Sequence, residues 1–285
     1  MGNSETNRAR QTAIEKLLLL RYPVIVLKLI KDEAEVPADA VRPLRDWGKH
    51  IALCQAFAFA RRQNKVIYME KADHWCWAPL ISYGMVDGGP GTVAWEETVR
   101  TIGVADKAKS EKFVGAMPEL PLGKYCGILT APLSAADFEP DVLLIYGTTA
   151  QIRLALMAIN SQSGEMVDSS FAPLDSCVYS VIPAVENGSY RITLPDPGEY
   201  ERAFVDNEVI LSVPQQKFEE FFAGVAYQNG FGRTINSFFP TMKEDFPRPP
   251  FYNRMFESWG MATGDDWAYW NKVIKKVAVD GLVAR

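Results

Sequence analysis

Two stretches of this chain are apolar at almost every position, and they limit what it can fold into. Val24–Ile30 follows Pro23, and Asp141–Tyr146 follows Pro140; β-branched residues and leucines dominate both. Such runs read as buried strands, and a strand without a polar face needs cover on both sides of its sheet.

Helical stretches between the strands supply that cover. Ile14, Leu17 and Leu18 stand at helical spacing within residues 6–21, and Pro23 ends that helix. A single helix is expected over Pro43–Gln63, where Leu44, Trp47, Ile51, Cys54 and Ala58 recur at three and four, placing Cys54 on the core face. Further helices are expected over Thr92–Ile102, Asp106–Met117, from Gly147-Thr148-Thr149 to Asn160, over Leu174–Val185 with a perturbation at Pro183, and over Gln215–Asn229. Shorter strands are expected at Lys65–Met69, Tyr125–Ala131, Ser189–Leu194 and Glu208–Val213. This alternation predicts an α/β (or α+β) fold, a mixed sheet flanked by helices. An internal echo points to two similar halves: Cys54 precedes Asn64 and a strand, and Cys177 precedes Asn187 and a strand at the same spacing.

Residues 1–230 read as the main α/β domain. Beyond them the chain becomes rich in Phe, Trp, Tyr and Pro, and an amphipathic helix from Asp265 to Val279 carries acids early and Lys272, Lys275 and Lys276 late. Residues 231–285 therefore read as an aromatic, proline-rich C-terminal arm and terminal helix, packing across the domain or onto a second copy in a homo-oligomer.

Of the 285 residues, 48% are hydrophobic, enough to bury a full core. The net charge of −5 and the absence of long basic runs argue against nucleic acid as a partner. Met1–Gln11 lacks the apolar centre of a signal peptide, and runs such as Leu17–Leu20 are too short to cross a bilayer. The expectation is a cytoplasmic protein without a membrane partner, its four cysteines reduced.

Chemistry-bearing residues fall into three groups. Both histidines lie near cysteines: His50 is four residues before Cys54 on the expected helix, and His74 is two before Cys76. Imidazoles and thiolates of that set suit zinc or iron, although the spacing matches no finger pattern, and packed thiols account for the same residues without a metal. Gly147-Thr148-Thr149 turns from strand to helix and would present N–H groups to an anion. Thr148 with Gln151 three residues on is also a capping box, which satisfies those N–H groups internally. Trp75, Trp77, Tyr83 and Trp95, near Gly84 and Gly88, would wall an apolar pocket or fill core.

The order of several short segments resembles domain-of-unknown-function family 169, bacterial and archaeal proteins that are often cysteine-rich. The resemblance runs from about Leu17 to Tyr227. It rests on Pro23 to Lys28, Cys54-Gln55 with Ala60-Arg61, Cys76 with Gly84, Pro140 to Leu143, and Gln151. It continues through Cys177 with Pro183-Ala184, Pro197-Gly198, Asn207 to Val209 and Val213-Pro214. The resemblance implies thiolate, metal or cluster chemistry in some members. Where relatives carry a further cysteine, Thr193–Pro197 reads Thr-Leu-Pro-Asp-Pro here.

The expected function is an enzyme acting on a small, anionic or aromatic organic molecule with thiolate or metal participation. Cys54 or Cys177 would be the thiolate, and Gln55, Gln151 and Arg153 would orient the substrate beside Trp75, Trp77 and the Gly147-Thr148-Thr149 turn. The alternative is a non-catalytic accessory protein that binds a ligand, metal or cofactor.

Overall fold

The computed structural model describes residues 3–196, 207–233 and 250–260. In chain order the elements are α1 (Asn3–Leu18), β1 (Ile25–Ile30), α2 (Pro43–Trp47), α3 (Leu53–Gln63), β2 (Ile67–Glu70), α4 (Trp77–Ser82), α5 (Val93–Thr101), α6 (Lys107–Val114) and β3 (Gly127–Pro132). There follow β4 (Val142–Thr148), α7 (Thr149–Ser163), α8 (Ser176–Tyr179), α9 (Ile182–Asn187), β5 (Arg191–Thr193), β6 (Glu208–Pro214), α10 (Phe218–Gly230) and α11 (Pro250–Ser258). The chain divides into two units, residues 1–235 and 236–285. Of the second unit α11 is described, with Phe251 stacked on Tyr252. The terminal helix expected from Asp265 lies outside the described residues.

Six strands form one sheet in the order β2-β3-β1-β4-β6-β5. The α/β layering is as expected, and every ladder between the named strands is antiparallel. Parallel pairing is confined to two isolated bridges, Val41 with Ile67 and Ile51 with His74. β3 is buried at every position, and β1 and β4 at all but one each, which is why their sequences show no polar face.

Side chains alternate between two cores. Val26, Ile30, Leu143, Ile145 and Leu211 face one layer, where Leu17 of α1, Ile159 of α7 and Phe221 of α10 close over them. Ile25, Leu27, Leu144, Tyr146 and Ile210 face the other, covered by α3, α4, α8 and α9 through residues such as Phe57, Ala78, Val178 and Ile182. The first layer is tight: a Cβ on Gly224 of α10 would sit 2.1 Å from the Ala158 carbonyl oxygen of α7, so only glycine permits this helix crossing.

The sheet order has an internal regularity. Outward from the central β1–β4 pair, one side reads β1-β3-β2 and the other β4-β6-β5. In each half the second strand in sequence is the outermost, and a cysteine-bearing helix precedes it. Asn64 caps α3 in the left-handed conformation, and Gly188, after Asn187, does the same for α9. The echo between the two cysteine–asparagine segments thus has a counterpart in topology.

Two expected helices are broken. The stretch 43–63 is α2 and α3, separated at Gly48, which takes φ 63° and closes α2. Ile51 then leaves helical geometry to bridge His74, so His50 is not on a helix with Cys54. The buried stripe of α3 is Leu53, Ala56, Phe57, Ala60 and Arg61; Cys54 is half-buried at its margin. Likewise 174–185 splits into α8 and α9 just ahead of Pro183, which occupies the first turn of α9 where its missing N–H costs nothing.

A buried ion pair ties the second layer to the sheet. Arg61 Nη2 of α3 lies 3.0 Å from Glu208 Oε2 at the start of β6, both side chains under a tenth exposed, and the guanidinium stacks 3.9 Å from the Tyr146 ring centre. Removing one member strands the other charge away from water, typically at 3–5 kcal/mol. We therefore expect Arg61→Ala to lose about 3–5 kcal/mol in urea unfolding. A loss below about 1 kcal/mol would mean the pair is solvated in practice.

Candidate functional site

The parallel bridge between Ile51 and His74 builds the site. Ile51 N–H donates to the Asp73 carbonyl at 2.9 Å, and Trp75 N–H donates to the Ile51 carbonyl at 3.3 Å. Asp73 is fixed in turn, its carboxylate accepting from Leu44 N–H at 2.8 Å and Glu70 N–H at 3.0 Å. The two clamped segments then enter helices: Cys54 falls in the first turn of α3 and Cys76 is the residue before α4. Gln55 locks them together, its Oε1 accepting from Ala52 N–H at 2.8 Å and from Trp75 Nε1 at 3.1 Å.

Cys177 enters from the other half of the sheet. It lies in α8, and Tyr83, fully buried at the end of α4, donates its hydroxyl to the Cys177 carbonyl at 2.7 Å. Cys177 is part of the second core, and Cys54 and Cys76 pack against that same core. Asp175 precedes α8 with φ 60°, a left-handed conformation uncommon outside glycine, and its side chain does not cap the helix. Its N–H donates to Asp196 Oδ2 at 2.9 Å, while its own Oδ2 is buried without a hydrogen-bond partner.

Burial and neighbouring acids act together on these groups. Burial raises the Cys177 thiol well above its usual range, and Cys54, Cys76, Asp175 and Asp196 push it further. Burial also raises Cys76, with Asp175 and Asp196 adding to it. Asp175 is lifted to about 6, by burial first and by Asp196 second. No Lys or Arg contributes to any of these three shifts. Burial thus favours the protonated thiols of Cys76 and Cys177 and makes Asp175 a weaker acid than a free carboxyl. Among the described residues, no three His, Cys, Asp or Glu side chains stand close enough to hold a metal ion.

The two histidines differ sharply. His50 is exposed, its Nδ1 bonded to the Ala72 carbonyl at 2.8 Å. His74 is 6% exposed, neither ring nitrogen has a partner, and burial lowers it to about 4. Trp75, between His74 and Cys76, is 58% exposed, as expected for an extended segment whose alternate residues turn inward.

Other expected site residues lie elsewhere. Gly147, Thr148 and Thr149 form the junction of β4 with α7, and α7 packs on the sheet face opposite the thiols. The capping box is present: Gln151 Oε1 accepts from Thr148 N–H at 2.8 Å, and Thr148 Oγ1 accepts from Gln151 N–H at 3.4 Å. Gln151 Nε2 also donates to the Leu18 and Leu19 carbonyls, tying α7 to the end of α1. Arg153 is exposed on α7, and Trp77 is half-buried in the first turn of α4. Cys126 stands apart, packed against the first core and donating its thiol to the Ile30 carbonyl at 3.3 Å. The structure therefore gathers Cys54, Gln55, Trp75, Cys76 and Cys177, and separates them from the Gly147 turn and Arg153.

Asp175 and Asp196 were not singled out from sequence. A signal was available: they stand in the second cysteine–helix–strand segment where Ala52 and Asp73 stand in the first.

Two outcomes follow from burial. In the folded protein at neutral pH, Cys177 should resist alkylation by iodoacetamide that Cys54 and Cys76 undergo, and should label on unfolding, as read by peptide mass spectrometry. Labelling of Cys177 at the rate of Cys54 would contradict its burial. His74 titrates near 4 folded against about 6.5 unfolded, so only the unfolded chain takes up its proton in that window. Stability is then full above pH 6.5 and falls toward pH 4 by at most about 3 kcal/mol. His74→Leu should flatten that part of the stability profile; an unchanged slope would assign it to other groups.

The profile of an uncharacterised ArCR family, domain-of-unknown-function family 169, matches residues 13–224. Uncharacterized protein MJ0308 of Methanocaldococcus jannaschii is 23% identical over 228 residues, 78% of this chain and 96% of that protein. No solved structure matches the chain. The matched span runs from α1 into α10 and contains all six strands and the three gathered cysteines, so this chain belongs to domain-of-unknown-function family 169.

Proposed function

We propose that this protein binds a small ligand through the thiols of Cys54, Cys76 and Cys177, and that it works as a binding or carrier protein rather than by nucleophilic catalysis. The observation that carries this reading is the meeting of three thiols from sequence-distant segments in one layer. Packing alone requires no such meeting, since Cys126 fills its own place in the opposite layer. Nucleophilic catalysis calls for a thiolate, and burial with nearby acids holds Cys76 and Cys177 protonated. The Gly147-Thr148-Thr149 turn is a weaker candidate because its own cap engages it.

A second reading, an enzyme, is favoured by Asp175. A half-buried carboxyl near pH 6 on left-handed backbone beside thiols has the pKa and rigidity of a general acid or base.

We place the protein in the cytoplasm, because no disulfide links its four cysteines. No helix among the described residues is long and apolar enough to cross a membrane.

The test is native mass spectrometry of protein purified from its host without oxygen, alongside Cys54→Ser, Cys177→Ser and Thr148→Ala. We expect a bound species on the wild type and on Thr148→Ala that is absent from both cysteine variants. Retention by the cysteine variants, or loss from Thr148→Ala alone, would move the site to the turn.

A further inference from the structure

Three arginines crowd one tyrosine at the end of α3 away from Cys54. From the Tyr22 ring centre, the guanidinium carbon of Arg62 stands at 5.0 Å, that of Arg21 at 5.4 Å and that of Arg61 at 5.5 Å. Arg61 and Arg62 lie in the last turn of α3 and Cys54 in its first, so about 10 Å of helix axis separates them. Arg21 and Tyr22 belong to the link from α1 to β1.

The backbone sets that link in place. Leu19, just past α1, takes φ 48°, a left-handed conformation that a leucine rarely adopts. Gln151 Nε2, in the first turn of α7, holds it by donating to the Leu18 and Leu19 carbonyls at 2.9 and 3.1 Å. On the other side, Glu208 is bonded to Arg61 and pairs on the sheet with Thr148, which caps α7. The positive end of the α7 dipole therefore borders the same patch.

The local charge runs against the sign of the whole chain. No two of the three carbons can lie farther apart than their ring distances laid end to end, about one Debye length at 0.1 M salt, so their repulsion is only partly screened. A ring face at the surface attracts a cation only weakly. Glu208 answers Arg61, whereas Arg21 and Arg62 are exposed and form no ion pair among the described residues. Arg10, Arg42, Arg45 and Arg100 each face a carboxylate. With 35 acidic against 30 basic residues, the chain has carboxylates to spare, yet none stands here for Arg21 or Arg62.

We propose that Arg21 and Arg62, seated on Tyr22, bind a phosphate group, either the free ion or that of a small phosphomonoester, with buried Arg61 adding charge behind them. Two planar guanidiniums carry paired N–H donors that match phosphate oxygens, and the second negative charge of a phosphate answers the second guanidinium. A single carboxylate would satisfy one guanidinium, as Glu208 does for Arg61, and leave the other. This site is independent of the thiol reading.

The experiment is isothermal titration calorimetry of the full chain at low ionic strength, with inorganic phosphate and with phenyl phosphate. We expect one saturable equivalent, with affinity lowered at least about tenfold in Arg21→Gln and in Arg62→Gln. Arg100→Gln, which removes the same charge elsewhere, should leave it unchanged, as should Cys54→Ser. Tyr22→Phe keeps the ring and should keep the affinity, whereas Tyr22→Leu should lose it. Circular dichroism of each variant establishes that it is folded. Equal affinity for the two probes would assign the free ion, and tighter phenyl phosphate a phosphomonoester. Absence of saturable binding to folded wild type would overturn the proposal, as would Arg62→Gln and Arg100→Gln weakening it alike. Loss in Cys54→Ser with Arg62→Gln unaffected would return the anion to the thiol site and also overturn it.

Discussion

Val26 faces Leu143 at the middle of the β1–β4 ladder, and both strands are apolar on both sides. That pair cannot meet water on either face, so helices must close over it from above and below. Everything else is arranged around this requirement. α1, α7 and α10 close one face, and α3, α4, α8 and α9 close the other. The remaining strands extend outward from the pair in matching order, which gives each half a cysteine-bearing helix on the same layer.

Convergence of the thiols follows from that arrangement with two added constraints. The Ile51–His74 bridge brings the starts of α3 and α4 together, and the Tyr83 hydroxyl ties the end of α4 to the Cys177 carbonyl. Each is a backbone-directed bond between segments far apart in sequence. The same layer is held to the sheet at the other end of α3 by Arg61 and Glu208. A buried imidazole without a partner and a carboxyl oxygen buried without one are an unfavourable way to fill a layer that apolar residues would pack without desolvating polar groups. That local cost is the physical sign of a site.

The sheet and its cover were largely legible in the sequence, because the continuous apolar runs of β1 and β4 and the stripes of α1 and α10 leave little freedom. The Thr148–Gln151 cap was legible too, as its partners are three residues apart. The break at Gly48 was not: the three-and-four spacing runs on through it from Leu44 to Ala58, and a glycine inside a helix costs only about 1 kcal/mol. What ends α2 there is the left-handed turn at Gly48 and the bridge to His74, a tertiary contact that periodicity does not register. Gln55 illustrates the same limit. Its place beside a cysteine suggests a substrate-orienting group, whereas its carbonyl oxygen is occupied by Ala52 and Trp75. Asp175 and Asp196 were silent for a related reason, because carboxylates in loops are ordinary until their burial is known.

The central claim is spatial: Cys54, Cys76 and Cys177 share one site, and Cys126 belongs to the opposite layer. Anomalous scattering from native sulfur in crystals of the reduced protein would locate all four atoms without reference to any chemistry. The account predicts three cysteine sulfurs gathered on the α3–α4–α8 side of the sheet and Cys126 across the sheet. Cys177 lying as far from Cys54 and Cys76 as Cys126 does would contradict it, and the thiols would then be packing residues alone.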